Sequence, residues 1–425
     1  MDEQGDIFPR GRTLLRYIPI MLFMLIVIST LSGCHLVKTT ISSPSSTGED
    51  SQVGQIPESE PEPEPEPIVL EEEITLTALG DILMHNTLIW SGGQSDGSYA
   101  FDFFGDVAHL MEEGDYCTTT LETALGGPEK GYTGYPLFNS PDAIAYHLEE
   151  NGVGGVVASN NHILDRGFKG ALRTVEILED AGLNVLGIKQ SPEDPGFIIK
   201  DIRGIRVGYL AYTYGTNGLT LPQEHNYFIN MLEKDRILED IEKLRPEVDV
   251  LILILHWGVE YSISPTENQR ELAREFLQAG VDAIVGSHPH VVQPVEYFNI
   301  DGQEKFVAYS IGNYIGHQRG QERNSGVILQ LKFRQEKVIQ PGSNGTEEKL
   351  LSESIVLDKV EMIPTFSHSY YQNGRQKFRV VPVEETIGKI HAQKEEIFTE
   401  ADLPLLENVL KTTQERLKML SSEED

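Results

Sequence analysis

Two histidines stand two residues apart in Gly286-Ser287-His288-Pro289-His290, straight after the apolar run Val281 to Val285. In an extended segment, residues i and i+2 share a side. The intervening proline stiffens the backbone. Both imidazoles are therefore expected to converge on one point, as a metal ion requires. Other apolar runs end in the same kinds of residue. Asp81 follows Ile74 to Leu79, and Glu122 follows Tyr116 to Leu121. Asn161 and His162 follow Val153 to Ser159, and His256 follows Asp249 to Leu255. Loops hold polar residues in any protein, but repetition at the ends of successive strands is the pattern of a site. Carboxylate oxygens with imidazole nitrogens suit divalent Mn, Fe or Zn. Six or seven such ligands exceed one tetrahedral site and point to two metals sharing a carboxylate. Paired metals activate water and clamp a phosphoryl oxygen. Within the adjacent pair, Asn161 would coordinate through its carbonyl, leaving His162 as a general acid. Asp165 would orient the His162 imidazole. Two residues stay open: His85 either lines the site or is an incidental loop histidine, and Asn313 either contacts substrate or shapes a turn.

The elements that must position these residues alternate. Strands are expected at Ile74–Leu79, Tyr116–Leu121, Val153–Ser159, Asn184–Leu186, Ile205–Thr213, Asp249–Leu255, Val281–Val285 and Lys305–Ile311, from period-two or continuous apolar runs. Helices are expected at Phe101–Glu113, Pro141–Glu150, Phe168–Asp180 and Leu232–Leu244. Ser264-Pro265-Thr266-Glu267 has capping-box spacing, with proline at the first helical position. Ser325–Phe333 and Ile355–Met362 read as antiparallel strands, and Glu400–Leu420 as a polar terminal helix. Alternation of this kind favours an α/β layered fold.

The chain has 425 residues, 39% of them hydrophobic, which suffices for one large domain with additions or for two domains. A net charge of −32 argues against a nucleic-acid partner. It leaves phosphate chemistry open, because bound metal supplies positive charge locally. Cys34 and Cys117 are too few for a disulfide framework; Cys117 reads as a small buried residue.

The N-terminal stretch carries Arg10, Arg12 and Arg16, then the apolar run Ile18 to Ile28, then Leu31-Ser32-Gly33-Cys34. That is a secretory signal pattern. Its small residues ending in cysteine resemble a bacterial lipobox, which implies a signal peptide at 1–33 and lipid on Cys34; the alternative is an uncleaved membrane anchor. Either way the folded part would lie outside the cytoplasm. Residues 34–73 read as a solvated Pro/Glu-rich spacer, with alternating Glu and Pro from Glu60 to Pro67.

Six segments resemble, in order, the CapA-type family of capsule and poly-γ-glutamate synthesis, itself similar to calcineurin-like metallophosphoesterases. They are Gly80-Asp81-Ile82-Leu83-Met84-His85, Leu121-Glu122-Thr123, Ser159 to Gly167, His256 to Tyr261, Gly286 to Gln293, and Tyr309-Ser310-Ile311-Gly312-Asn313. The resemblance covers roughly Ile74 to Gly326 and implies a four-layer αββα sandwich, placed at 74–335; the residues themselves make 336–425 a β extension and polar helix. It also implies export, surface tethering, and work with a polymer-synthase complex or its anionic polymer. Two departures stand out. The broader phosphoesterase pattern has histidine where this chain has Leu83, and the CapA-type motif has asparagine where it has Thr120. Both fall on the side served by Asp81 and Glu122, implying a weaker metal site there or one filled only with substrate. The function expected is metal-dependent hydrolysis of a phosphoester during polymer synthesis or export. Its rivals are a non-catalytic binding platform within a synthase complex and a solute-binding lipoprotein.

Overall fold

The computed structural model describes residues 65–342 and 347–420. The expected signal segment, Cys34 and most of the Pro/Glu spacer lie outside the described residues.

The chain lays down four parallel strands first: β1 (Ile68–Ile82), β2 (Tyr116–Leu121), β3 (Val153–Val157) and β4 (Asn184–Leu186), side by side in that order. It then builds a second sheet from β5 (Phe197–Ile202), β6 (Ile205–Thr213), β7 (Val250–His256), β8 (Ala283–Ser287), β9 (Val295–Ile300) and β10 (Gln303–Ala308). The spatial order there is β5-β6-β7-β8-β10-β9, with β6, β7, β8 and β10 parallel. Finally it returns to the first sheet. Short β11 (Asn313–Ile315) joins the end of β1, and β12 (Ser325–Gln340), β13 (Lys349–Gln372) and β14 (Arg375–Pro382) extend the other edge as an antiparallel meander.

Strand β7 shows how the layers arise. Val250, Ile252 and Ile254 face the first sheet, where they meet Leu76, Ala78 and Val157. Leu251, Leu253 and Leu255 face outward, under α5 (Lys234–Leu244) and α6 (Glu267–Gln278). A strand apolar on both faces is one covered on both sides. The outer face of the first sheet is covered in turn by α3 (Ala143–Glu150) and α4 (Gly167–Asp180), through Ile144, Leu148, Val175 and Leu178. Helix, sheet, sheet and helix make the αββα sandwich expected from the sequence. Cys117 is buried in β2.

Several boundaries move. β1 begins at Ile68, so residues 68–73, expected in the spacer, pair with Arg334–Ile339 of β12. The division at 335 is no boundary either: β12 runs through it, and the described residues form one compact unit. The helix expected from Phe101 shrinks to α2 (Ala108–Glu112), while α1 (Asn86–Gly92) and α7 (Val383–His391) are additional. The terminal helix is α8 (Leu403–Arg416). Together α7 and α8 bury Val383, Ile390, Leu406 and Val409 against Phe366 and Val381. The capping box exists two residues later than expected: Thr266 caps α6, and Gln269 reaches back to it. Pro265 therefore precedes the cap.

Candidate metal centre

Every candidate ligand sits where a parallel strand stops. Asp81 closes β1, held by its N–H to the Gly312 carbonyl at 3.0 Å. Gly80 lets that loop approach, since a Cβ there would lie 2.2 Å from the same carbonyl oxygen. Glu122 follows β2, its N–H bonded to Ile82 O at 3.0 Å. After β3, Asn160 turns the chain by donating to Leu121 O at 2.9 Å and accepting the His162 N–H at 3.0 Å. His256 ends β7 opposite Ser287 at the end of β8. Both sheets thus deliver ligands to the same end of the sandwich, at the carboxyl ends of their strands.

The pair His288 and His290 converges, but not by extension. β8 stops at Ser287, and both histidines take positive φ, +93° and +58°. Such values cost energy for residues with a Cβ and persist only when the surroundings impose them. Here the surroundings are visible. The His288 N–H donates to Asp81 Oδ2 at 3.0 Å, and the Pro289 carbonyl accepts from the Tyr261 N–H at 2.8 Å. Gly286, just before, allows β8 to pass Tyr309, whose carbonyl oxygen would stand 1.9 Å from a Cβ.

Glu122 is the hub. Its Oε1 lies 3.7 Å from His256 Nε2, 3.7 Å from His290 Nε2 and 4.0 Å from His162 Nε2. Two ligand groups share it, Glu122–His256–His288 and Asp81–Glu122–His290, each with its donor atoms within 4.8 Å of one another. Asn161 Oδ1 is 2.9 Å from His256 Nε2, and Ser287 Oγ holds His256 Nδ1 at 2.9 Å. His290 Nδ1 lies 3.1 Å from Asn313 Oδ1 and 3.5 Å from Asp81 Oδ2.

A divalent metal fits these residues. Asp81 Oδ1, both carboxylate oxygens of Glu122, and His288 Nδ1 are buried with no hydrogen-bond partner. Buried polar atoms are normally paired, because leaving them bare costs free energy. Four bare acceptors on and around the shared Glu122 are a cation's donor set. Burial lowers His256 well below its usual range and brings His288 down to about 3, so both are neutral lone-pair donors. Burial also pushes Glu122 up, which marks the cost of its charge when no cation is present. His290 is the exception: burial opposes its charge, but Glu122 and Asp81 outweigh it and raise it to about 9.

His162 is placed for proton transfer. Its Nδ1 is 2.7 Å from Asp165 Oδ2, which also accepts the Phe138 N–H at 2.6 Å. Phe138 packs edge-on to the His162 ring at 4.7 Å. His85 joins the same wall, 5.6 Å from Phe138, and burial lowers it to about 4. Asn313 both shapes the turn, donating to Arg323 O at 2.7 Å, and touches His290. Leu83 and Thr120 are both buried, and the Leu83 side chain has no donor atom to stand in place of the histidine of the resembled pattern.

Some neighbours carried no sequence signal. Tyr214 follows β6 and lies 4.5 Å from the His288 ring. Tyr261 flanks His290 at 5.9 Å and carries the Arg323 guanidinium 3.7 Å above its ring. The His317 backbone N–H donates to His85 Nδ1 at 3.4 Å. Glu260 stands exposed beside His288 and His290; it lies in a quoted segment, yet nothing in its spacing marked it.

A four-layer α/β sandwich that gathers carboxylates, an amide and imidazoles at its strand ends defines an α/β protein with a candidate metal site. The chain belongs to the bacterial capsule synthesis protein family PGA_cap, whose profile matches residues 75–318. It is 26% identical over 274 residues to the capsule biosynthesis protein CapA of Bacillus anthracis, covering 62% of this chain and 64% of that one. It is 29% identical over 189 residues to the PGA biosynthesis protein CapA of Bacillus subtilis, covering 42% and 46%. The match thus spans less than two thirds of either relative. Among solved structures, the NAD nucleotidase of Haemophilus influenzae is similar at a TM-score of 0.41 and 14% identity, over 84% of this chain and 65% of that one.

Proposed function

We propose that the chain is a surface-tethered, metal-dependent phosphoesterase-like protein serving capsule or poly-γ-glutamate synthesis or export. The observation that carries the reading is Glu122, buried, bare of hydrogen bonds and shared by two ligand groups. Asp81, Glu122 and His290 would hold one divalent ion, and Glu122, Asn161, His256 and His288 a second. Ions bound there supply Lewis acidity and lower the pKa of water. The chain's own residues do the rest. His162, oriented by Asp165, gives a proton to the leaving-group oxygen. Phe138 and Tyr214 border the site with aromatic surface. Tethering rests on the N-terminal sequence pattern, and the polymer on family membership. A chain of charge −32 repels an anionic polymer except where cations sit, so contact would be made at the centre.

The test is hydrolysis of a generic phosphodiester by the full chain loaded with Mn or Zn. Activity and bound metal should both be lost in His288→Ala. No metal after loading, with no effect of that substitution, would sink the enzymatic reading. In cells, normal polymer output from His162→Ala would show that catalysis is not the role.

A further inference from the structure

We propose that Glu260 is the solvent-side carboxylate of this metal centre, closing it over His288 and His290. The inference rests on the metal-centre reading above and adds a residue to it. One Glu260 oxygen, one His288 nitrogen and one His290 nitrogen lie within 4.8 Å of one another. This is a third ligand group, and it overlaps the other two through the histidines.

The backbone that carries Glu260 is fixed to the histidine segment. The Trp257 N–H donates to Ser287 O at 3.1 Å, and the Tyr261 N–H to Pro289 O at 2.8 Å. Gly258 and Tyr261 take φ of +92° and +65°, so the loop folds back over the end of β8. The Glu260 side chain, in contrast, is exposed, unlike Asp81, Glu122 and the two histidines beneath it. A fixed backbone with a free carboxylate is a ligand that can reach in without rearranging the fold.

The centre has room for that ligand. His288 Nδ1 is buried and bare. Leu83 is buried and offers no donor atom to the Asp81 side. Three side chains from Asp81, Glu122 and His290 leave an octahedral ion half coordinated. An exposed carboxylate adds an oxygen donor where the buried wall supplies none.

The full chain, stripped of metal, is titrated with Mn²⁺ by calorimetry and with Co²⁺ by visible absorption. Three proteins are compared: wild type, Glu260→Gln and Glu322→Gln. Glu322 is exposed and is the sequence neighbour of Arg323, which covers Tyr261, so its loss removes an equal charge from the segment flanking the site. Glu260→Gln should bind about tenfold more weakly or worse, the low end for losing a partner of a metal site, and its Co²⁺ spectrum should change. Glu322→Gln should match wild type in both. Equal weakening in the two variants means charge alone and overturns the proposal. So does a Glu260→Gln protein that binds like wild type. Metal-free melting curves of wild type and Glu260→Gln should coincide, because the side chain is exposed; a lower curve for the variant assigns it a structural role instead and overturns the proposal. A wild type that takes up neither metal removes the metal-centre reading along with the inference.

Discussion

Strand β1 joins two regions that treat charge in opposite ways. At its start it belongs to a ribbon with β12 and β13, where charges are exposed and paired. Arg334 meets Asp358 at 3.0 Å, Lys337 meets Glu353 at 3.2 Å and Lys332 meets Glu361 at 3.0 Å. At its end, Asp81 and the neighbouring Glu122 are buried, with carboxylate oxygens that nothing in the protein satisfies. Exposed pairs contribute little to stability and lose little when broken. Buried unpaired carboxylates cost free energy and are kept only for what they bind. The charges of the ribbon are therefore replaceable, and those of the centre are not.

Four substitutions or conditions press on that contrast. His162→Ala should lower phosphodiester turnover by about 10²–10⁴-fold, the range for a general acid. Its metal content, read by elemental analysis, should stay as in wild type, since none of the three ligand groups contains His162. Glu122→Gln should split function from stability. Mn²⁺ affinity should fall about 100-fold, while the metal-free variant should melt at or above the wild-type temperature. A metal-free melt below wild type would break the comparison, because it would make the buried charge a stabilising one.

The third probe is acid. His368 on β13 stacks on Phe398 at 3.9 Å, and burial, helped by Arg379, lowers it to about 4 from an ordinary 6.5. The folded value lies below the unfolded one, so the unfolded chain takes up the proton first. Its contribution is full above pH 6.5 and is lost as pH falls toward 4. His368→Gln should flatten that part of the stability profile, measured by denaturant unfolding at successive pH values. The smallest effect is expected in the ribbon: Arg334→Gln should change unfolding free energy by no more than ~0.5 kcal/mol. A loss of several times that amount would mean the ribbon charges are not replaceable.

What the sequence disclosed follows from what burial writes into it. The runs feeding Asp81, Glu122, Asn161, His256 and His288 are buried and largely apolar because the opposite sheet covers one face and helices or loops the other, and their ends are legible for the same reason. The outer reach of β12 and β13 was not legible. Beyond Phe333 the β12–β13 ribbon is half-exposed or exposed except at the polar Gln335, so no apolar alternation marks it. β11 has three residues, too few for a periodic signal. The positive φ of His288 and His290 was also hidden, because it is imposed by Asp81 and Tyr261 from distant parts of the chain. Glu260 looked like any exposed loop acid.

The length of β1 has a mechanical meaning. Its 15 residues run from Ile68 at the ribbon to Ile82 beside the ligands, a straight reach of about 45–50 Å at ~3.3 Å per residue. The chain therefore enters this strand one full strand-length from the metal centre. A tether attached ahead of Ile68 would hold the molecule by its far end and present the centre outward. Tension on such a tether would pull β1 lengthwise between β2 and β12, shearing two ladders at once instead of peeling one strand away.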